Sequence, residues 1–259
     1  MKGRLQDRVG LVVGIANEKS LAAGSARAYD EDGAQLACTY LNAKAQPYVE
    51  RAVAPIEGAR LLPFDARDPE GAQRIVCETV EQFGRLDFLL HAIAYCPADD
   101  LNGPILGCSR EGLADAIQVT CHSLIELARA AIPMMPQGGS ITTISYAGAE
   151  KALRDYNIMG PVKAALEGIV RGLAAELGPR GIRVNAISAG PVPTRAASGL
   201  SSFEGTLERA ARAAPMRRLV TPDEVGAFAA FLASDAAAGM TGDTYHVDGG
   251  LHALGWDHG

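Results

Sequence analysis

Short apolar runs alternate with longer amphipathic segments along most of the chain. Seven runs of four to six residues are rich in β-branched and other apolar residues, a pattern typical of strands buried inside a sheet. These runs cover residues 9–13, 35–40, 60–64, 88–93, 140–145, 183–188 and 244–247. Between them, apolar residues recur at helical spacing, which predicts helices at 21–32, 69–83, 110–132, 162–177 and 222–233.

This alternation predicts a single α/β domain over residues 1–259, since no linker, repeat or low-complexity segment divides the sequence. Parallel strands joined by right-handed crossovers place helices on both faces of a sheet. We therefore expect a Rossmann-like fold, a doubly wound parallel sheet of seven strands with helices on both faces. Ligands bind such sheets beyond the carboxyl ends of the strands, so the residues that follow each strand are candidates for a functional site.

Composition narrows the class of protein but selects no function. Of the 259 residues, 48% are apolar and 21% are charged, as in a soluble globular protein. The net charge of −6 argues against a nucleic-acid partner, for which a basic face is expected. No apolar run approaches the roughly 20 residues that span a bilayer, so we expect no membrane association. The apolar stretch near the N-terminus ends in Gly14 without a cleavage site, which favours a first strand over a signal peptide.

The five cysteines are scattered along the chain, and their number is odd. They form neither a CxxC motif nor a cluster with histidine, which argues against a disulfide framework and against a zinc site. We therefore predict no metal site and a reducing, cytoplasmic location. The cysteines are Cys38, Cys77, Cys96, Cys108 and Cys121.

The first predicted strand is followed by the sequence GIANEKSLA, in which Gly14 closes the strand and Ser20 precedes the helix. A tight turn into a helix N-terminus presents backbone N–H groups and a positive dipole end, where a pyrophosphate could bind. The three-glycine fingerprint of dinucleotide sites is absent from this turn. An ordinary turn with Ser20 as the N-cap residue accounts for the pattern equally well.

The residues after the next three strands can be compared with those that bind a dinucleotide in such folds. Leu41 and Asn42 follow the second strand and offer neither the acid that binds a ribose 2′-hydroxyl nor the arginine that binds a 2′-phosphate, although Lys44 is close. This pattern slightly favours NADH over NADPH. Asp65, after the third strand, could hold an adenine amino group or cap the following helix. The fourth strand ends in HAIAYCP, whose small residues would let the chain pass close to a cofactor.

Two tyrosines and a lysine follow the fifth predicted strand. Tyr146 stands at its carboxyl end, and Tyr156 lies seven positions before Lys163, close to two helical turns. Pro161 lacks an N–H group, so it fits only in the first turn of a helix, where the N–H groups are unpaired. We therefore expect this helix to begin near Asn157, with Tyr156 at its edge.

Tyr156 and Lys163 together could stabilise a developing negative charge. A phenol with a pKa of about 10 can donate a hydrogen bond to a carbonyl oxygen that becomes anionic. A nearby ammonium group stabilises the same charge and can also bind the ribose hydroxyls of a nicotinamide cofactor. From spacing alone, however, an amphipathic surface tyrosine and a solvated lysine explain the pattern more simply.

Several motifs taken together favour the catalytic interpretation of Tyr156 and Lys163. They are GIANEKSLA, SYAGAEKALRDYNIMGPVKAALE, RVNAISAGPVPTRAASG and PMRRLVTPDEVGAFAAFLASDAAAGMTGDTYHVDGG. The series closely resembles the short-chain dehydrogenase/reductase superfamily and, within it, the enoyl-acyl carrier protein reductases of bacterial fatty-acid synthesis. The resemblance extends from about Leu5 to Gly250. Its most specific feature is the Tyr156-x6-Lys163 spacing, since carbonyl-reducing members of the superfamily carry Tyr-x3-Lys.

The resemblance implies that the chain delivers hydride from NADH to the β-carbon of a trans-2-enoyl thioester. Tyr156 would stabilise the thioester carbonyl, Lys163 would hold the nicotinamide ribose, and Tyr146 would supply a proton or position the substrate. The implied cofactor residues are Gly14, Ala16, Ser20, Leu21, Leu41, Asp65, Ala66, Ile93, Ala94, Lys163, Ile187, Ala189, Pro191 and Thr194. The implied substrate residues are Tyr95, Tyr146, Tyr156, Met159, Ala196 and Ala197. Residues 194–212, rich in small side chains at 196–207, would form a substrate-binding lid; a plain surface loop is the simpler alternative.

The fourth strand departs from the family pattern. It usually ends in HSIGF, whereas here Ala92 and Ala94 replace the serine and the glycine. The methyl group of Ala94 stands where a glycine would allow the closest approach of a cofactor. A specialised enoyl reductase, with a different thioester or chain length, is therefore also consistent with the sequence.

The implied partner is an acidic acyl carrier protein that holds the thioester. Where relatives often carry basic residues in the lid, this chain has Ser201, Ser202, Glu204 and Gly205. Arg195, Arg209 and Arg212 could compensate by attracting the carrier. The resemblance also implies a homotetramer, with residues 246–254 as a candidate interface.

Two alternatives remain open. A carbonyl or imine reductase of the same superfamily would share the fold, but the missing Tyr-x3-Lys spacing argues against it. A dinucleotide-binding protein without catalysis would fit the altered fourth strand, but intact Tyr146, Tyr156 and Lys163 argue against it.

Overall fold

The structure, a computed structural model, describes residues 3–135, 138–153, 156–194 and 203–255. Its strands are β1 (Val9–Val13), β2 (Gln35–Tyr40), β3 (Arg60–Pro63), β4 (Phe88–His91), β5 (Gly139–Tyr146), β6 (Ile182–Ala189) and β7 (Thr244–Val247). Within these residues, all strand pairs are parallel, and the order across the sheet is β3-β2-β1-β4-β5-β6-β7. The predicted Rossmann-like, doubly wound sheet of seven strands is confirmed.

The strand ends differ from the prediction by one or two residues in four strands. β4 ends at His91, two residues early, because the chain leaves the sheet there and Ile93 lines a cavity instead. β5 is longer than predicted and includes Tyr146, because its pairing with β6 continues to the partners Tyr146 and Ala189. This extra pairing fixes the main chain of Tyr146 at the carboxyl edge of the sheet.

The helices of the described residues are α1 (Leu21–Glu31), α2 (Gln46–Val53), α3 (Gly71–Phe83), α4 (Ala98–Asn102), α5 (Arg110–Ile117), α6 (Ser123–Ala131), α7 (Met159–Leu177), α8 (Phe203–Ala213) and α9 (Pro222–Ala233). The helix predicted at 110–132 is divided by a π turn, Gln118–His122, between α5 and α6. The sequence pattern does not predict α2, α4 or α8. None of the described helices is both long and apolar enough to cross a membrane.

The hydrophobic core has two parts, one on each face of the sheet. Leu11 and Val13 of β1 belong to the part covered by α3, α6 and α7. Val12, between them, belongs to the part covered by α1, α2 and α9. Because successive side chains of a strand point to opposite faces, one apolar run serves both parts.

The helices α1 and α9 pack at very short distance through two glycines. A Cβ atom on Gly24 would lie 2.3 Å from the Pro222 carbonyl oxygen, and one on Gly226 would lie 2.3 Å from the Gly24 carbonyl oxygen. The Arg27 guanidinium binds the Asp223 carboxylate at 2.6 Å beside this contact. The contact therefore fixes α1, whose N-terminus follows the turn after β1.

We expect Gly226→Ala to lower the free energy of unfolding by about 1–3 kcal/mol, because the new methyl group overlaps the main chain of α1. Chemical denaturation followed by circular dichroism measures this change. Gly172→Ala, in the middle of α7, is the matched control, since a Cβ atom there meets nothing within 4 Å. The control should be as stable as the unsubstituted chain or slightly more stable. Equal stability of both variants would contradict the packing argument.

Candidate functional site

Two adjoining cavities open at the carboxyl edge of the sheet. The first has a volume of about 460 Å³ and is bordered by residues after β1, β2, β3 and β4. The second has a volume of about 530 Å³ and is bordered by residues after β4, β5 and β6 and by α7. Six residues line both cavities, namely Leu21, Ala94, Tyr95, Ile144, Lys163 and Thr194. A ligand that fills the first cavity therefore reaches the second.

The turn after β1 brings two main-chain segments close together at Gly14. This residue has a φ of 107°, and a Cβ atom on it would lie 2.3 Å from the Ala92 carbonyl oxygen. Its N–H group donates to the Thr39 hydroxyl at 3.2 Å, which ties the turn to β2. Only glycine combines this backbone conformation with this approach, so a single glycine takes over the tight-turn role of the three-glycine fingerprint.

Ser20 closes the same turn. Its hydroxyl accepts from the Ala23 N–H group at 3.3 Å and donates to the Asn17 carbonyl at 2.7 Å, so the predicted N-cap of α1 is confirmed. Ser20 also lines the first cavity. Ser20 can therefore be the N-cap of α1 and also border a pyrophosphate site, because the positive end of α1 faces the cavity.

The far end of the first cavity is formed by the segments after β2 and β3. Leu41, Asn42 and Lys44 line it, and the Leu41 side chain is about half exposed. Asp65 also lines it, while its carboxylate accepts from the Arg67 N–H group at 3.0 Å and so stabilises its own loop. Asp65 retains both interpretations, a loop carboxylate and a ligand for adenine.

His91 holds the end of β4 in place. Its Nε2 lies 2.8 Å from the Ser123 hydroxyl, and its Nδ1 lies 2.8 Å from the Thr143 hydroxyl. Since Ser123 gives its proton to the Val119 carbonyl, it accepts from His91 Nε2–H, and Nδ1 accepts from Thr143. Burial lowers the pKa of His91 to about 3, so the ring is neutral at physiological pH.

Tyr146 and Tyr156 meet inside the second cavity. Their ring centroids are 4.8 Å apart and the ring planes cross at 64°, an edge-to-face contact. Burial raises the pKa of both hydroxyl groups, and for Tyr156 the neighbouring Tyr146 adds to this effect. Both phenols therefore keep their protons near neutral pH and can donate hydrogen bonds to a ligand.

Lys163 reaches from α7 to the wall shared by the two cavities. Its side chain is 4% exposed, and its Nζ donates to the Ile144 carbonyl at 2.7 Å. Burial lowers its pKa to about 8, an effect that Cys121 and Glu167 partly oppose. The surface-lysine alternative is therefore wrong: Lys163 is a buried cation at the junction of the cavities.

The start of α7 places Tyr156 through close packing. α7 begins at Met159, two residues after the predicted position, and Pro161 is its third residue, where an N–H group has no partner within the helix. A Cβ atom on Gly148 would lie 2.4 Å from Cδ1 of Tyr156, and one on Gly160 would lie 2.8 Å from the Gly148 carbonyl oxygen. The Tyr156 ring thus packs against bare backbone.

A buried carboxylate lies behind the second cavity. The Ser145 hydroxyl, at the cavity wall, donates to Glu167 of α7, whose pKa is raised by burial. Glu167 follows Lys163 by one helical turn, so the two charged groups share the buried face of α7. Sequence spacing alone did not single out this pair.

Most residues that the family resemblance implies come together here. The first cavity is lined by Gly14, Ala16, Ser20, Leu21, Leu41, Asp65, Ala66, Ile93, Ala94, Lys163 and Thr194. The second is lined by Tyr95, Tyr146, Tyr156, Met159, Ala189 and Pro191. Ile187 lines neither, because its side chain is fully buried in the core. Ala196 and Ala197 lie outside the described residues.

Sequence reasoning missed several residues of the two cavities. Thr39 anchors the turn at Gly14, and Arg67 lines the first cavity directly after the implied pair Asp65 and Ala66. The second cavity is also lined by Cys96, Ala98, Leu101, Gly190 and Val192, and by Thr206, which lies within the expected lid. Arg67, Gly190 and Val192 follow strand ends, a signal that could have been used, whereas Ala98 and Leu101 depend on the position of α4.

The first cavity fits a dinucleotide. Gly14 lets the turn after β1 pack directly against the main chain of Ala92 at the cavity, and the N-terminus of α1 offers backbone N–H groups to a pyrophosphate. Lys163 stands at the inner end, where it can donate to ribose hydroxyls, and Asp65 and Ala66 stand at the outer end. Within the described residues, no cluster of potential metal ligands accompanies these groups.

Comparison with known proteins assigns the family. A family model described as Enoyl-(Acyl carrier protein) reductase matches residues 14–252. An enoyl-[acyl-carrier-protein] reductase [NADH] of Haemophilus influenzae is 43% identical over 93% of this chain and 92% of its own length. The corresponding protein of a Nostoc species is 44% identical over 95% of this chain and 96% of its own length.

Solved structures agree with this match. A crystal structure of the enoyl-(acyl-carrier-protein) reductase of Anaplasma phagocytophilum, in complex with NAD, superposes with a TM-score of 0.94 at 40% identity. The superposition covers 99% of this chain and 98% of the Anaplasma chain. The chain with its two adjoining cavities, its paired tyrosines and its buried lysine belongs to the enoyl-(acyl carrier protein) reductase family.

Proposed function

We propose that this chain reduces the trans-2 double bond of an enoyl thioester on acyl carrier protein, with hydride from NADH, in fatty-acid or related acyl-chain biosynthesis. The observation that carries the proposal is the wall shared by the two cavities. Lys163 lies on this wall, and Tyr146 and Tyr156 line the second cavity beside it. A dinucleotide in the first cavity and a thioester in the second would therefore meet beside a cation and two phenols.

NADH, when bound, supplies the hydride that adds to the β-carbon of the thioester, and a proton adds to the α-carbon. As the hydride adds, negative charge develops on the thioester carbonyl oxygen. The Tyr156 hydroxyl, protonated because burial raises its pKa, donates a hydrogen bond to this oxygen. The Lys163 ammonium lowers the energy of the same charge and holds ribose hydroxyls. Tyr146, in contact with the Tyr156 ring, supplies the proton or positions the thioester.

The rest of the second cavity suits an acyl chain. Apart from Tyr95, Tyr146 and Tyr156, its walls are mostly aliphatic, with Leu101, Met159 and Val192 among them. Such walls exclude water and leave an apolar chain in an apolar environment. The exclusion of water by a bound acyl chain would also strengthen the interaction of Tyr156 and Lys163 with the developing charge.

The carrier protein would approach along α8. Thr206 of this helix lines the second cavity, and Arg209 and Arg212 are exposed on the same helix. Arg212 lies 3.5 Å from Glu208. Because both side chains are exposed, this ion pair is weak, and the Arg212 guanidinium can exchange Glu208 for an acidic group of the carrier. Arg195, the third basic residue that could attract an acidic carrier, lies outside the described residues.

We further propose a homotetramer located in the cytoplasm. β7 is an edge strand of the sheet, and its residues are only partly buried in the single chain, which supports an interface formed by residues 246–254. All five cysteines are free thiols, which supports a reducing compartment. Sedimentation velocity tests the assembly; a monomer at micromolar concentration would contradict it.

An enoyl-thioester assay tests the proposed function. Oxidation of NADH, followed by its absorbance, is expected with crotonyl-carrier protein, and less or none with NADPH. Acetoacetyl thioester should remain unreduced. Tyr156→Phe removes the donor to the carbonyl oxygen and should lower kcat by about 10²–10³ with an unchanged Kd for NADH. Absence of crotonyl reduction by the unsubstituted chain would refute the proposal.

The pH dependence follows from Lys163. Its pKa of about 8 means that the ammonium loses its proton as the pH rises through this value. Because the charged form stabilises the transition state, kcat/KM for the enoyl thioester should be level below pH 8 and fall about tenfold per unit above it. Lys163→Met should have a much lower kcat/KM without this alkaline fall. A level profile of the unsubstituted chain up to about pH 9.5 would contradict the role of the ammonium.

Gly148→Ala tests the placement of Tyr156. The added methyl group would lie 2.4 Å from the ring, so the ring must move away from its position. We expect kcat to fall by about 10², since a displacement of about 1 Å can have such an effect, while the Kd for NADH stays within about twofold. Gly239→Ala is the control, because a Cβ atom there meets nothing within 4 Å. Unchanged kcat in Gly148→Ala would show that the ring is not held by this contact.

A further inference from the structure

We propose that Arg67 is a positioning residue that fixes Tyr95 on the wall shared by the two cavities, and so sets the affinity for both cofactor and thioester. The inference rests on the proposed function and extends it to a residue that touches neither reacting group. Arg67 belongs to the loop after β3 and Tyr95 to the loop after β4. These loops border the first cavity from different sides.

A two-point ion pair fixes the Arg67 guanidinium. Its Nε donates to Asp115 Oδ1 at 3.1 Å and its Nη2 donates to Asp115 Oδ2 at 2.9 Å. Asp115 belongs to α5, and Asp65 Oδ1 lies 3.8 Å from Nη1 on the other side. The planar guanidinium is therefore held in one orientation by two carboxylates from separate segments.

The oriented guanidinium stacks on Tyr95. Its Cζ atom lies 4.4 Å from the centre of the Tyr95 ring, a cation–π contact. The Tyr95 N–H group donates to the Thr120 hydroxyl at 3.1 Å, within the π turn that joins α5 to α6. The main chain of Tyr95 is thus anchored from one side, while Arg67 holds its ring from the other.

The ring needs such a support because it is exposed. Tyr95 is 40% exposed and lines both cavities. Without the guanidinium, the ring would have free rotamers and would fill the shared wall only part of the time. Both ligands would then have to order it on binding, which weakens both affinities. The chemical step, at Tyr156 and Lys163, would be unaffected once both ligands are bound.

Steady-state kinetics of Arg67→Met tests the proposal, with Arg74→Met as the matched control. Arg74 lies in the next helix and binds Asp68 at 2.7 Å, and it is 43% exposed against 41% for Arg67. Arg67→Met should raise the KM for NADH and the KM for crotonyl thioester by about three- to tenfold, with kcat within about twofold. Arg67→Lys, which retains the charge without the planar fork, should give a smaller increase. Arg74→Met should change none of these values.

A double-mutant cycle with Tyr95→Leu separates an effect through Tyr95 from a direct contact with the cofactor. In the Tyr95→Leu background, Arg67→Met should change either KM by less than about twofold. An undiminished effect in that background would overturn the proposal, as would unchanged KM values in Arg67→Met or equal increases in Arg74→Met. If the unsubstituted chain reduces no enoyl thioester, the proposed function fails. Fluorescence titration with NADH still tests the role of Arg67 in that case, because the Kd for NADH should be higher in Arg67→Met than in the unsubstituted chain.

Discussion

The buried ammonium group of Lys163 is the constraint on which the rest of the site depends. A charge in an apolar wall is tolerated only when a polar group is directed at it, and the Ile144 carbonyl fulfils this role at 2.7 Å. The same strand, two residues later, carries Tyr146 at its end. α7 must therefore pack directly on β5, in one register, for the lysine to meet its acceptor. That register also determines where Tyr156, just before α7, enters the second cavity.

Glycines let this packing reach the required distances. Gly148 and Gly160 bring the loop after β5, the Tyr156 ring and the first turn of α7 together, and Gly24 and Gly226 do the same for α1 and α9. Each contact would be blocked by a single methyl group, because the partner is a backbone atom or an aromatic ring that is itself held. The positions of the Tyr156 ring and of α1 therefore follow from close backbone contacts.

The sequence predicted the sheet well because its strands are buried on both faces and appear as plain apolar runs. It also located Tyr146, Tyr156 and the limit that Pro161 sets on the start of α7. It did not predict α2 and α4, which are short and begin without a capping side chain. The cation–π contact of Arg67 and the pairing of Ser145 with Glu167 join residues far apart in the chain, and periodicity carries no signal for such contacts.

The turn at Gly14 has a wider consequence for how the family can diverge. The turn after β1 offers main-chain groups to a bound pyrophosphate, and the path of that main chain depends on one glycine against the Ala92 carbonyl. Side chains in this turn can then change while the main-chain N–H groups keep their positions. Recognition by main-chain groups therefore tolerates many side chains, and the replacement of the family's serine by Ala92 leaves the contact of its carbonyl oxygen with Gly14 in place.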